Sequence, residues 1–308
     1  MKIDVKQLNF CIDLPAAVVI QPFYHVMMLI LFVLCFIVQA FAFKNGVNLQ
    51  PSYYNNGNVT FGWELMHKYG QIKSVRIEIE PDKVEQGKSW ISEAHSNGYE
   101  IIATYHKCAV LGSDDPQELT DAANWWVENY AHLKKAGDFT INIMNEWGSH
   151  AQTASSYSSA YNSAIATIRK VYPSNLPLIA DIPGWGQETH TATLASPLIT
   201  DPSIVFSAHV YPPSWNGALN HFLQPSDLDE LHATGRTCII GEFGTVGQGS
   251  ADVKSIVSHA KELGFAVLAW AWNGDGGDMN MASPAWVTTP YASTYKESAY
   301  FYSVIDML

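Results

Sequence analysis

Phe139-Thr-Ile-Asn-Ile-Met-Asn-Glu-Trp-Gly148 is the stretch that decides the fold. It is apolar and β-branched with little polar alternation, the pattern of a strand buried on both faces in a parallel sheet. Glu146 stands at its carboxyl end, followed closely by Gly148. A second run, Thr237-Cys-Ile-Ile-Gly-Glu-Phe-Gly244, repeats the arrangement and places Glu242 in the same way. The carboxyl ends of barrel strands are where barrel enzymes keep their chemistry. A buried carboxylate costs several kcal/mol unless it is paired or used, so two such acids need a purpose. Either acid alone also fits a strand-end carboxylate bonded to a neighbouring Arg or backbone amide.

Working outward, strand-like runs alternate with helical patterns along the chain, which is the signature of a parallel sheet covered by helices. The expected strands are Gly46 to Gln50, Ser74 to Glu80, Glu100 to His106, Phe139 to Glu146, Leu178 to Pro183, Ile204 to Tyr211, Cys238 to Phe243 and Ala266 to Asn273. Pro81-Asp82-Lys83 opens a helix that stops at Asn97-Gly98, and Asp115-Pro116 opens one through Trp125-Trp126. Ser226-Asp227-Leu228-Asp229 and Ser250-Ala251-Asp252 supply capping side chains for two more, and Tyr295 to Leu308 forms the last. Eight such pairs predict an α/β fold, a single-domain (β/α)8 barrel. An open doubly wound sheet is the alternative, but no Gly-x-Gly-x-x-Gly turn follows the first strand.

The chain has 308 residues, 47% of them hydrophobic, enough for one large core. No linker or repeat interrupts it after Gly46. Its net charge of -12, from 29 acidic and 17 basic residues, excludes a nucleic-acid partner, which needs a basic surface. Aromatics reach 12% and charged residues only 15%, a balance suited to stacking neutral sugars. Most single rings are still expected in the core.

Val26 to Phe43 is almost wholly apolar and ends in Ala40-Phe41-Ala42, a small-x-small cleavage signature. The reading is residues 1–42 as a signal peptide and 43–308 as the secreted catalytic domain. Met1 to His25 is long for a leader and carries only Lys2 and Lys6 against Asp4 and Asp13. Either synthesis starts at Met27 or Met28, or residues 26–43 stay as a membrane anchor of marginal length. Membrane contact is expected only in that second case. Cleavage leaves Cys108 and Cys238, one at the top of a strand and one at the bottom of another, so two free thiols and no disulfide are expected.

On this strand assignment polar residues gather on one rim: Arg76 and Glu78, His106, Asn145 and Glu146, His209 and Tyr211, Glu242, and Trp270 and Trp272. With these in place the chain resembles a glycoside hydrolase of family five, in the clan of retaining β/α-barrel glycosidases with acids on strands four and seven. The most specific pieces are Asn145-Glu146, His209-x-Tyr211, Glu242-Phe243-Gly244 and Ala269-Trp270-Ala271-Trp272. The resemblance implies Glu146 as acid/base and Glu242 as nucleophile. It implies Arg76, His106, Asn145, His209, Tyr211 and Trp272 as the surrounding shell. Many cellulases of that family read Asn-Glu-Pro where this chain has Asn145-Glu146-Trp147. That Trp, with Gly184-Trp185-Gly186-Gln187 after strand five, is more similar to the bacterial-type β-mannanases. Mannan or glucomannan is therefore the leading expectation and a β-1,4-glucanase the alternative.

The chemistry also follows from the residues. Retaining hydrolysis needs a protonated carboxyl and an ionised one roughly 5 to 5.5 Å apart. Arg76 and Tyr211 can hold Glu242 ionised, while Met144 and Trp147 beside Glu146 desolvate it and keep it protonated. Asn145 is placed for the sugar 2-hydroxyl, Trp272 for the floor beneath the ring, and Trp147, Trp185 and Trp215 as platforms for neighbouring sugars. His106, Glu146, His209 and Glu242 share the rim, so a metal is the rival reading. There is no His-x-His or His-Glu-x-x-His, and Arg76 would repel a cation. The expectation is a monomer without metal or cofactor, acting on polysaccharide. A catalytically inactive sugar-binding barrel is the remaining alternative.

Overall fold

The computed structural model describes Ala42–Leu308. All but the last two residues of the apolar stretch 26–43, and all but Ala42 of the expected leader, lie outside the described residues. Among the described residues no helix is long and apolar enough to cross a membrane.

Eight parallel strands close into a barrel: β1 (Gly46–Leu49), β2 (Ser74–Ile79), β3 (Glu100–Tyr105), β4 (Thr140–Asn142), β5 (Leu178–Asp181), β6 (Ile204–Val210), β7 (Cys238–Phe243) and β8 (Ala266–Asn273). Each pairs with its neighbours in sequence, and β8 closes on β1 with Gly46 beside Leu268. Outside run α1 (Trp63–Met66), α2 (Val84–Ser96), α3 (Pro116–Leu133), α4 (Ala154–Ile168), α5 (Thr189–Ala195), α6 (Asp227–Ala233), α7 (Val253–Glu262) and α8 (Phe301–Val304). The (β/α)8 expectation holds.

Residues paired across a parallel ladder share a face. Arg76 lies beside Ile102, Glu78 beside Thr104, Thr104 beside Asn142, and Asp181 beside Ser207. The inward face therefore changes along the axis. Ile102, Ile179, Val205, Ile239 and Leu268 pack together at one level, and a polar layer of Arg76, Glu78, Thr104, Asn142 and Asp181 sits beyond it.

Several boundaries differ from the sequence reading. β4 stops at Asn142 rather than at Glu146. The Ile143 amide still reaches the Ile179 carbonyl, but the Asn145 amide turns to Tyr105, and Glu146 takes a left-handed φ of 48°. Asp115 caps α3 and Asp252 caps α7 as expected, yet Ser226 makes no capping bond. Asp227 instead accepts from the Gln224 amide at 2.9 Å. The final helix shrinks to Phe301–Val304 with a 3-10 turn behind it, because Lys296–Glu297 is drawn into a short ladder with Ala282–Ser283. Cys108 is exposed and Cys238 buried, and both are free thiols.

Candidate active site

Arg76 organises the mouth of the barrel. Its Nε donates to Asn142 Oδ1 (3.0 Å), Nη2 to Asn145 Oδ1 (2.5 Å), and Nη1 to Glu242 Oε1 (2.8 Å), Glu78 Oε1 (2.8 Å) and Asn48 Oδ1 (3.0 Å). Asp181 Oδ2 stands 3.4 Å from Nη2. Burial works against the guanidinium's charge, but Glu242, Asp181 and Glu78 around it more than restore it. One side chain thus ties together residues from β1, β2, β4, β5 and β7 and the turn after β4.

Glu242 receives Arg76 on Oε1 and the Tyr211 hydroxyl on Oε2 at 2.6 Å. Burial alone would raise its pKa, but the His209 and Arg76 charges and the Tyr211 bond outweigh it and hold Glu242 below the ordinary carboxylate range. Glu146 is treated in the opposite way. Burial raises its pKa, the His209 bond opposes this, and the Glu242 charge adds to the rise, leaving Glu146 above its ordinary value. His209 Nδ1 lies 2.9 Å from Glu146 Oε1 and 3.6 Å from Glu242 Oε1, and one ligand atom from each of the three residues falls within 4.8 Å of the others. The two carboxyl groups therefore share one pocket, with an oxygen of each within 4.8 Å of the other.

A metal ion could use that spacing, but the donor set does not favour one. His209 is fully buried, and Glu242 and Asp181 lift its pKa well above the ordinary value despite burial, which favours its charged form. Arg76 already neutralises Glu242. A metal ion there would face the Arg76 guanidinium and an imidazole already biased towards its charged form.

Asp181 was missed in the sequence. It ends Leu178–Asp181 just as Glu146 and Glu242 end their apolar runs, so the same pattern could have found it. Fully buried, it accepts from the Glu146 amide (3.0 Å) and Asn142 Nδ2 (3.2 Å) and pairs with His209 Nε2 at 3.5 Å. Burial works against its charge, but His209, Arg76 and the Glu146 amide bring its pKa down to about 2. A non-glycine residue at positive φ stores strain of order 1–3 kcal/mol, and Asp181 grips the amide of the residue that carries it, Glu146.

The expected shell is only partly assembled. Arg76, Asn145, His209 and Tyr211 gather around the pair. His106 stands one step back: its Nε2 faces Glu78 at 3.4 Å and its Nδ1 faces Glu80 at 3.1 Å and the Tyr53 hydroxyl at 2.7 Å. Trp272 is no sugar floor. It is fully buried, with its indole N–H on the Phe61 carbonyl at 2.7 Å. Trp147 is buried too, bonded to the Asp115 carbonyl at 2.9 Å and packed on Tyr157 and Tyr161. On β8 the indole with residual exposure is Trp270, bonded to Asp275 Oδ1. Trp185 remains half-exposed against His150, and Trp215 half-exposed against Phe222 in a two-stranded ladder after β6.

Fold and site together define a (β/α)8 barrel with a buried carboxylate pair at its mouth. Residues 55–276 match the family model described as cellulase (glycosyl hydrolase family 5), and the chain belongs to that family. It is 29% identical over 196 residues to a mannan endo-1,4-beta-mannosidase of Streptomyces lividans, covering 61% of this chain and 49% of that one. A second mannan endo-1,4-beta-mannosidase, from Cellvibrio japonicus, is 28% identical over 203 residues, 63% and 46% of the two chains. The matches span about half the length of these relatives. Among solved structures, a beta-mannanase from Thermomonospora fusca superposes with a TM-score of 0.66 at 20% identity, covering 86% of this chain and 89% of that one. The catalytic domain of a Thermobifida fusca endoglucanase does so with a TM-score of 0.66 at 17% identity, covering 85% and 90%. At these identities the likeness is one of fold.

Proposed function

We propose that the chain is a secreted, monomeric, retaining endo-β-1,4-glycanase, with β-mannan or glucomannan as its lead substrate. The observation that carries this reading is the pair Glu146 and Glu242, with an oxygen of each within 4.8 Å of the other and their pKa values pushed in opposite directions by their surroundings. Glu146 donates its proton to the leaving glycosidic oxygen while Glu242 attacks the anomeric carbon. Once Glu242 is a neutral ester, the charge that raised the Glu146 pKa is gone, and Glu146 serves as base towards water. Asn145 has its carbonyl on Arg76, which leaves its amide N–H groups for the sugar 2-hydroxyl. Trp185 and Trp215, both half-exposed, are the candidate platforms for neighbouring sugars, and Trp270 keeps a small exposed edge on β8.

The names of the Streptomyces lividans and Cellvibrio japonicus relatives favour mannan, and the description of the matching family as cellulase keeps β-1,4-glucan as the second reading. The opposite shifts of the two acids, together with Arg76 and Tyr211 on Glu242, argue against an inactive binding barrel. Secretion rests on the apolar segment and Ala40-Phe41-Ala42. Amino-terminal sequencing of exported protein should begin at Phe43, and a membrane-bound chain with 26–43 intact would replace that part of the reading.

The test is reducing-sugar release by residues 43–308 from purified polysaccharides. Galactomannan or glucomannan should be cut at least about tenfold faster than carboxymethyl cellulose, a gap of about 1.4 kcal/mol. Equal or reversed rates leave a β-glucanase. Glu146→Ala and Glu242→Ala should each cost about a thousandfold or more. Azide should then yield a β-glycosyl azide from the first and an α-glycosyl azide from the second. Inversion of configuration by the parent enzyme would remove the assigned roles.

A further inference from the structure

Arg76 Nη1 has two hydrogens and three acceptors: Glu78 Oε1 and Glu242 Oε1, each at 2.8 Å, and Asn48 Oδ1 at 3.0 Å. Two carboxylates therefore share one nitrogen in a site almost closed to water. We propose that Glu78 is a positioning residue for the nucleophile, dividing the pull of Arg76 Nη1 with Glu242 while Glu242 is free and remaining that nitrogen's one charged partner once Glu242 is esterified. This rests on the reading of Glu242 as nucleophile.

The surroundings of Glu78 suit the task. Gln50 Nε2 donates to its Oε2 at 2.7 Å from the end of β1, and His106 Nε2 faces it at 3.4 Å from the end of β3, with Glu80 and the Tyr53 hydroxyl behind that ring. Arg76 lies on its own strand and Glu242 across on β7. Burial pushes the Glu78 carboxyl up to about 6, with His106 opposing and Glu242 adding to the rise. Glu242 for its part faces Arg76, His209, Tyr211, Glu146 and Asp181, in addition to Glu78.

Sharing matters to both halves of the reaction. A nucleophile with undivided claim on a guanidinium is a weaker base, and Glu78 keeps Glu242 from that extreme. When the glycosidic bond breaks, the anomeric carbon bonds to a Glu242 oxygen and the Glu146 proton leaves with the departing oxygen. The Glu242 carboxylate charge is then neutralised beside a buried guanidinium. Glu78 remains as the counter-charge on Nη1, already in contact, with Asp181 on the Nη2 side.

The experiment is carboxyl-carbon NMR titration of protein labelled at the glutamate side-chain carboxyl, in the parent, Glu78→Gln and Glu242→Gln. In Glu78→Gln the Glu242 titration should fall by about one pH unit, the low end of the effect of a nearby charge. In Glu242→Gln the Glu78 titration should fall by a similar amount, because such coupling is reciprocal. The acid limb of kcat/KM for Glu78→Gln should move down with Glu242, while the alkaline limb, set by Glu146, stays in place. A merely structural role would lower activity without moving one limb alone. Titrations that stay fixed in both variants overturn the proposal. If either variant fails to fold, the other carries the same reading. A parent inactive on every glycan overturns the proposed function and this inference with it, in an assay separate from the titration.

Discussion

Trp272 and Trp185 show how differently two indoles near one rim can serve. Trp272 has no exposed surface and gives its N–H to Phe61, so Trp272→Ala removes core and should cost about 3 to 5 kcal/mol in urea unfolding. Trp185 is half-exposed, and Trp185→Ala should leave the unfolding midpoint nearly unchanged while raising KM on polysaccharide. Asp181 makes its contribution through pH. Its folded pKa, about 2, lies below the ordinary 3.8, so its stabilisation is complete above about pH 4 and is lost as pH falls through about 2. Every polar neighbour of its carboxylate is a donor, so Asp181→Asn turns an amide N–H towards other donors. That variant should lose on the order of 2 kcal/mol at pH 7 and show a flatter stability profile between pH 4 and 2, read from urea midpoints across pH.

Among the elements, α4 directly follows the turn that carries Glu146, and its start is fixed by a capping box. Thr153 Oγ1 accepts from the Ser156 amide at 3.1 Å, and Ser156 Oγ accepts from the Thr153 amide at 3.1 Å. Thr153→Ala should cost about 1 kcal/mol, measured by thermal unfolding, with kcat unchanged. The strands were legible in the sequence because each is a short apolar run whose burial pattern survives any choice of loop. Asp181 was as legible as Glu146, since both close such a run. The last helix was not, because its fate depended on Lys296–Glu297 finding Ala282–Ser283. Nor was the depth of Trp272, which is set by a carbonyl 211 residues away in sequence. Residue identity shows that an indole lies near the rim, but only the loop packed over it decides whether the ring meets solvent.

At the scale of the whole molecule, the bonds from Arg76 to other strands span sequence separations from 28 residues, to Asn48, up to 166, to Glu242. Contacts so distant along the chain form late, because loop-closure entropy must be met before they contribute. No segment shorter than most of the barrel holds both carboxylates and the cation between them. Refolding from denaturant should therefore show helical signal returning first and hydrolytic activity only with the slowest phase of tryptophan fluorescence, compared by stopped-flow and timed activity assays. Activity ahead of that phase would mean that the site assembles without the closed ring. A half-made barrel of this sequence has no half-made catalyst in it.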